Sequence, residues 1–416
     1  MTQLLLTHPA GNQNVRAVLA ATEEAGLLAR FATTVAAFEG DAPSRMLPGA
    51  LRREWLRRRF DVAPAKVITH PAREMARMLA AKAGWQGAVR HEAGFASPDA
   101  VFQDFDRFVA GRLPGLAREQ ALGAVYAYED SALHTFRAAK ALGLKCIYDL
   151  PIAYWESGRR LMQEEAERLP EWAATLGGGV TDSQEKLARK TEELELADLV
   201  VAPSSFVLDS LPASAAGVRR VLAPFGSPAG SVKDQGDFEV PEATRPLRVL
   251  FVGSMGQRKG LADLFAAMRL LAGQPIELVV LGSMQESPEF YRRQFESFRH
   301  EKGRPHAQVL ELMRSCDVFC LPSIVEGRAL VTQEAMSQGL PIIITANTGG
   351  ADLVIEGETG FLVPIRAPEK IAEKIAWFSQ NRHEIPAMKA AAMRHAARYT
   401  WKHYGELVVD AIRELT

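Results

Sequence analysis

Three cysteines in 416 residues, Cys146, Cys316 and Cys320, are too few and of the wrong parity for a disulfide framework. Each lies in or beside an apolar run, which fits buried, reduced thiols, and their spacing holds no metal cluster. No stretch reaches the roughly 18–20 apolar residues that a membrane helix needs. Met1 to Leu6 carries no basic run ahead of its apolar residues and ends in His8-Pro9, which is too short for a signal peptide. The expected setting is cytoplasmic, and at most peripheral on the inner membrane face. Charge of one sign is lacking as well: 49 Lys and Arg meet 50 Asp and Glu, a formal net charge of -1. No whole-chain field draws nucleic acid, so a charged partner has to be met by a local patch. Repeats at a solenoid period are absent too.

What is present is a chain 47% hydrophobic and 24% charged, long enough for two domains that each bury a core. Short apolar runs alternate with longer amphipathic segments, the pattern of a parallel sheet covered by helices, and the fold class is α/β. The expected strands are Gln3–Thr7, Ala29–Thr33, Lys66–Thr69, Gly123–Ala127, Lys145–Asp149, Leu199–Ala202 and Arg219–Ala223. After residues 225–246, dense in Gly, Ser, Pro and charge, the alternation restarts with Leu247–Val252, Ile276–Leu281, Asp317–Leu321, Pro341–Thr345 and Gly360–Val363. Two Rossmann-like domains are the simplest account: 1–225, a linker at 226–246, then 247–398. Residues 399–416 form a last helix with an apolar stripe at Tyr404, Leu407, Val408, Ala411 and Ile412, placed to pack back on the first domain.

Two constellations carry chemistry. The strand Leu247–Val252 runs into Gly253-Ser254-Met255-Gly256-Gln257-Arg258-Lys259-Gly260, with a helical pattern from Leu261. Glycines admit a ligand to the backbone, a helix start offers N–H groups, and Arg258 and Lys259 add full charges, so a diphosphate would be well held. A plain turn with a solvated Arg-Lys pair is the competing reading. A dinucleotide site is weaker, because the glycines at 253, 256 and 260 do not form GxGxxG and Ile276–Leu281 is followed by Gly282-Ser283 rather than an acid.

The second follows the strand ending at Leu321. Glu326 sits in a loop and Glu334 eight residues on, within a helix starting near Ala329. At about 1.5 Å rise per residue, Glu334 stands one to two turns in, so two carboxylates could meet two ends of one ligand. The N–H groups of Gly327 to Val331 open that helix. Ordinary helix acids are the bland reading; Leu330, Val331, Ala335 and Met336 around Glu334 argue against it.

With FVGSMGQRKG (251–260), LPSIVEGRALVTQEAMSQGLPIIIT (321–345) and NTGGADLVIEGETGFLVP (347–364) in order, the sequence resembles the retaining GT-B glycosyltransferases of family 4, the Glu-x7-Glu glycosyl transferases group 1. The resemblance covers most of residues 247–380 and is faint in the first half. It implies a GT-B fold, two Rossmann-like domains facing each other across a cleft. It also implies transfer of a hexosyl group from a nucleoside diphosphate sugar to an acceptor hydroxyl, with retention and without a metal or other cofactor, in polysaccharide, glycolipid or glycoconjugate synthesis. Carried over by position, Arg258 and Lys259 neutralise the diphosphate, Glu334 binds the ribose and Glu326 the hexose. Arg258, Lys259 and Glu326 would be the catalytic set. Gly327 and the N–H groups of Arg328, Ala329, Leu330 and Val331 serve sugar and phosphate. Gly11, in the turn His8-Pro9-Ala10-Gly11-Asn12, reaches the phosphates from across the cleft.

The pattern is departed from at three positions. Arg328 and Ala329 stand where the family has an aromatic residue and glycine, and Tyr128 stands where it often has histidine. Arg328 could face an anionic donor or acceptor group, or turn to solvent; Tyr128 could touch sugar or acceptor, or be core. A catalytically silent nucleotide-sugar-binding protein and a sugar phosphorylase or hydrolase on the same architecture are the rival functions. The acceptor is a saccharide, lipid-linked or other hydroxyl, and no nucleic-acid module is present. Finally, residues 45–60 hold Arg45, Arg52, Arg53, Arg57, Arg58 and Arg59 against Glu54, with Leu51, Trp55, Leu56 and Phe60 interleaved. This stretch fits an anionic membrane surface, or a helix packed on the sheet with its arginines solvated.

Overall fold

The computed structural model describes residues 3–38, 40–41, 45–46, 49–228, 238–242 and 244–416. Two parallel sheets dominate it. The first comprises β1 (Gln3–Thr7), β2 (Leu28–Thr33), β3 (Val67–Thr69), β4 (Leu122–Tyr128), β5 (Lys145–Asp149), β6 (Leu199–Ala202) and β7 (Arg219–Leu222), in spatial order β3-β2-β1-β4-β5-β6-β7. The second comprises β8 (Leu247–Val252), β9 (Ile276–Leu281), β10 (Phe298–Glu301), β11 (Val318–Leu321), β12 (Ile342–Ile344) and β13 (Gly360–Leu362), in order β10-β9-β8-β11-β12-β13. Strands buried on both faces read as unbroken apolar runs, which is why β8, β11 and β12 are visible in the sequence. The strand that periodicity missed is β10, FRHE: it lies at the sheet edge, where charged side chains are tolerated.

In each sheet the strand order reverses once, between β1 and β4 and between β8 and β11. Parallel sheets open a crevice at such a reversal, beyond the carboxyl ends of the two strands. The loops that leave β8 and β11 are those carrying Arg258, Lys259 and Glu326; the loop that leaves β1 carries Gly11, and Tyr128 is the last residue of β4. The topology alone therefore gathers the predicted residues at two crevices.

The two units interpenetrate. Trp172 is 1% exposed and packs edge-on against Phe290 in the core of the second sheet, with ring centroids 4.9 Å apart, although it precedes β6 in the chain. A boundary at 225 does not separate the cores at this point. In the opposite direction the helix Trp401–Leu415 buries Tyr404, Val408, Val409 and Ile412 with β1 and the helix Gln13–Glu24. Of the expected linker, 229–237 and 243 lie outside the described residues. Its entry is fixed, with Phe225 stacked on Trp401 and the Ser227 amide bonded to the Tyr399 carbonyl at 2.9 Å. The three cysteines are free and buried, and burial pushes the Cys146 thiol up to about 12 and Cys316 up to about 11.

Candidate active site

The basic turn after β8 and the acidic loop after β11 are one unit. The amide of Ile324 donates to the Arg258 carbonyl at 2.9 Å, and the Arg258 guanidinium returns a 3.0 Å bond to the Val325 carbonyl. Gly260 takes φ +75°, and a Cβ there would collide with the Pro322 carbonyl, so only glycine lets the turn seat against the loop. Lys259 Nζ and Arg258 Nη1 both reach Glu326 Oε1, at 2.6 and 2.8 Å. Two cations thus share one carboxylate oxygen, which leaves the cluster with one positive charge in excess. Charge-assisted bonds of this kind are roughly twice as strong as neutral ones.

The turn from Thr345 to Gly349 holds the loop in shape. Asn347 Nδ2 donates to the Ile324 carbonyl at 2.9 Å, Thr345 Oγ1 to the Ser323 carbonyl at 2.6 Å, and the Glu326 amide to the Asn347 carbonyl at 3.1 Å. Across the cleft, Gly327 lies so close to the Pro151 carbonyl that a side chain there would clash, and its own carbonyl accepts from Ser204 Oγ at 2.6 Å. The basic turn is anchored from the first half too: the Gln257 amide donates to Thr175 Oγ1 at 2.9 Å, and Gln257 Nε2 donates to Glu165 at 2.8 Å. Glu165 is fully buried. Although burial opposes it, hydrogen bonds from Arg168, Gln257 and Arg366 hold its carboxyl below the usual carboxylate range.

Glu334 occupies the fifth position of the helix Leu330–Ser337 and faces His306, whose Nε2 is 3.1 Å from its Oε1. The amides of Leu330 and Val331 lie in the first turn of that helix, where no intrahelical acceptor precedes them. Ala329 is different: its amide donates to the Thr348 carbonyl at 3.1 Å and is already used. Arg328 requires a larger correction. Its side chain is 1% exposed and neither faces a donor nor turns to solvent. It forms a fork with Asp352 at 2.7 and 3.0 Å, donates to Gln333 Oε1 at 2.7 Å and to the Gly349 carbonyl, and stacks on Tyr399. The physical reason is its place beside the helix start, where the adjacent turn supplies an acid, an amide and an aromatic face. Asp352 and Tyr399, too far off in sequence to be linked to it by spacing, complete that pocket.

On the other side, Gly11 lies against the Phe60 ring. Tyr128 meets His8 edge-on, ring centroids 4.3 Å apart. Burial pushes the His8 imidazole down to about 3, so it stays neutral; Nδ1 accepts from the Ala10 amide at 2.9 Å, which leaves the proton on Nε2. Burial, with Asp149, Glu129 and Asp130 nearby, raises the Tyr128 phenol well above its ordinary range, so it remains a donor. Next to it Glu129 and Lys190 form a buried pair at 2.9 Å. Between these residues and the basic turn lies a cavity of about 330 Å³ that includes Glu129, Lys190, Arg258 and Val325 in its wall. The part of this wall contributed by the helix Trp155–Arg168 was missed from the sequence, where the spacing of Trp155 and Arg159, one helical turn apart, was the available signal.

Among the described residues, one group has metal-ligand chemistry: His91, Glu92 and Asp182, whose ligating atoms lie within 4.8 Å of one another. Lys186 Nζ is 3.0 Å from Asp182 Oδ1, and its charge opposes a cation there. No helix among the described residues is long and apolar enough to cross a membrane. The stretch 49–60 is partly engaged by the fold. Phe60 is buried against Phe31 at 4.8 Å and the Trp55 indole donates to Asp41 at 3.0 Å, so its aromatic residues are used by the fold while Arg52, Arg53, Arg57 and Arg59 stay exposed.

Residues 232–399 match the family model of the glycosyl transferases group 1. The chain is 29% identical over 179 residues to a D-inositol 3-phosphate glycosyltransferase of Corynebacterium urealyticum, covering 40% of this chain and 42% of that protein. It is 29% identical over 152 residues to a putative colanic acid biosynthesis glycosyltransferase, WcaL, of Salmonella typhimurium, covering 33% and 37%. These matches span about two-fifths of the curated relatives' length. Among solved structures, it is similar to sucrose-phosphate synthase from Thermosynechococcus elongatus, with TM-score 0.63, 17% identity and 100% and 99% of the two chains covered. HepE of Anabaena, solved in complex with UDP, superposes with TM-score 0.61 and 15% identity over the whole of both chains.

Proposed function

We propose that the chain is a glycosyltransferase, a reading supported by the match of residues 232–399 to the glycosyl transferases group 1 family model and by the GT-B fold of the two sheets. It moves a hexosyl group from a nucleoside diphosphate sugar to an acceptor hydroxyl, with retention of configuration and no metal requirement. The observation that carries this is the convergence of Lys259 and Arg258 on Glu326 Oε1 in the crevice at the strand reversal.

In this reading the diphosphate takes up the cluster's excess positive charge. As the bond from sugar C1 to the phosphate oxygen breaks, its electron pair goes to that oxygen, and Arg258 and Lys259 stabilise the charge that develops. The acceptor oxygen bonds to C1 from the same face and its proton passes to the departing phosphate. Glu326 then binds hexose hydroxyls and Glu334 the ribose, while the Gly327, Leu330 and Val331 amides and Gly11 approach the sugar and phosphates. Tyr128 offers its O–H to sugar or acceptor. Preorganised side chains suffice for such electrostatic work because they need no reorientation during the reaction. The test is turnover and binding of UDP- and GDP-sugars, with and without chelator: binding of neither nucleotide, or loss of all turnover with EDTA, overturns the corresponding part.

We also propose an anionic membrane surface as a partner, met through residues 45–60 and the exposed apolar groups that follow them. Leu79, Trp85 and Phe95 are 65%, 65% and 62% exposed. They follow the arginine-rich stretch, and residues 45–95 together hold nine Arg and two Lys against four acids. Basic charge beside exposed apolar groups supports interfacial binding.

A further inference from the structure

The interdomain cavity contains its own chemical description of an acceptor. Arg159 apart, its charged side chains are ion-paired. Lys190 lies 2.9 Å from Glu129 and 3.4 Å from Asp130, Lys186 lies 3.0 Å from Asp182, His91 lies 2.9 Å from Asp182, and Arg258 is held by Glu326. Against the cost of burial, Glu129 and Asp130 hold the Lys190 ammonium above its ordinary range, while burial raises the Glu129 carboxyl. Among the described residues Arg159 is the cation of this wall without an ion pair or hydrogen bond.

Arg159 is not isolated from sugar-binding chemistry. It shares the helix Trp155–Arg168 with Trp155, Gly158 and Met162, and these four positions fall on one helical face that lines the cavity. Trp155 is half-buried, its indole N–H 3.3 Å from Thr191 Oγ1, which fixes the ring as an apolar platform. Glu129 and Asp182 supply carboxylate oxygens able to accept from hydroxyls. An aromatic plane, hydroxyl acceptors and an unpaired guanidinium, in a cavity of about 330 Å³ that shares Arg258 and Val325 with the donor side, define a monosaccharide-sized ligand with one anionic group.

We infer that the acceptor is an anionic sugar, with a phosphate or a carboxylate on the ring substituent that Arg159 grips, and that Arg159 determines this specificity. The inference rests on the transferase reading for the word acceptor; the site itself does not depend on it. A neutral sugar would leave the guanidinium unmatched, whereas a planar fork binds phosphate or carboxylate through two parallel N–H bonds.

The test is calorimetry on the full chain, with and without UDP. Hexose 6-phosphates and glucuronate are compared with their neutral parent sugars, in wild type and Arg159→Gln. The expected result is that at least one phosphorylated or carboxylated sugar binds tenfold or more tighter than its parent, that Arg159→Gln abolishes this preference, and that UDP affinity stays within twofold. Preference for phosphate over carboxylate, or the reverse, identifies the anion. The inference is overturned if no anionic sugar outbinds its parent, or if the preference survives in Arg159→Gln. Failure to bind UDP or any other nucleoside diphosphate would instead overturn the transferase reading.

Discussion

Ser204 Oγ donates a 2.6 Å hydrogen bond to the carbonyl oxygen of Gly327, joining the end of β6 to the residue that follows Glu326. The acid-bearing loop is therefore positioned from both halves of the molecule. Its carboxylate is fixed by Lys259 and Arg258, and its backbone by Ser204 and the close approach of Pro151.

On the proposed reading, Glu326 and the diphosphate share the two cations that meet Glu326 Oε1. Glu326→Ala is expected to tighten UDP binding severalfold, because Lys259 and Arg258 are released, and to lower nucleotide-sugar turnover at least ~100-fold. Lys259→Ala should weaken both. Calorimetry with UDP and a turnover assay check the split; weaker UDP binding in Glu326→Ala would contradict this sharing.

Arg328 is a structural residue. Arg328→Ala leaves Gln333 Oε1 and the Gly349 carbonyl without their donor and Asp352 without its partner. The expected loss is about 2–4 kcal/mol in urea unfolding, with UDP affinity changed less than threefold. A variant of normal stability that no longer bound UDP would return Arg328 to the donor site.

Trp172 ties the region ahead of β6 to the second core. Trp172→Ala should cost about 3–5 kcal/mol. UDP binding should also weaken, because the Thr175 Oγ1 that anchors the basic turn lies three residues on. Trp172→Phe should lose less of both.

Asp149 sets a pH dependence. Burial pushes its carboxyl from the ordinary 3.8 up to about 7, with Asn14 Nδ2 at 3.2 Å. A raised carboxyl pKa means that the folded chain holds a proton which the unfolded chain has released, so this group costs stability as pH rises from about 4 to about 7. Asp149→Asn should therefore be more stable than wild type at pH 8, by on the order of 2–4 kcal/mol, with the difference vanishing near pH 4. Urea midpoints across that range measure it, and a pH-independent difference would refute the assignment.

The membrane proposal is tested by vesicle sedimentation. Binding to phosphatidylglycerol vesicles should exceed binding to phosphatidylcholine vesicles, fall with salt, and drop in Trp85→Ala with Phe95→Ala and in Arg52→Glu with Arg53→Glu. Equal binding to both lipids would dismiss it.

Two sheets, their parallel class and the two loops of the second crevice were legible in the sequence, because strands buried on both faces are continuous apolar runs and the glycine, cation and acid spacing lies within short segments. The edge strand Phe298–Glu301 was not legible, since an edge needs no such pattern. The amino-acid order by itself determined that Arg258 and Lys259 follow one apolar strand and Glu326 another; that these two strands are neighbours is a matter of sheet order. Tertiary structure alone decided where Arg328 points, that Trp172 belongs to the second core, and that Arg159 meets Glu129 and Arg258 around one cavity. Those outcomes depend on partners tens to hundreds of residues away, and side-chain direction is settled by which partners packing brings within hydrogen-bond reach, a quantity that local periodicity does not carry.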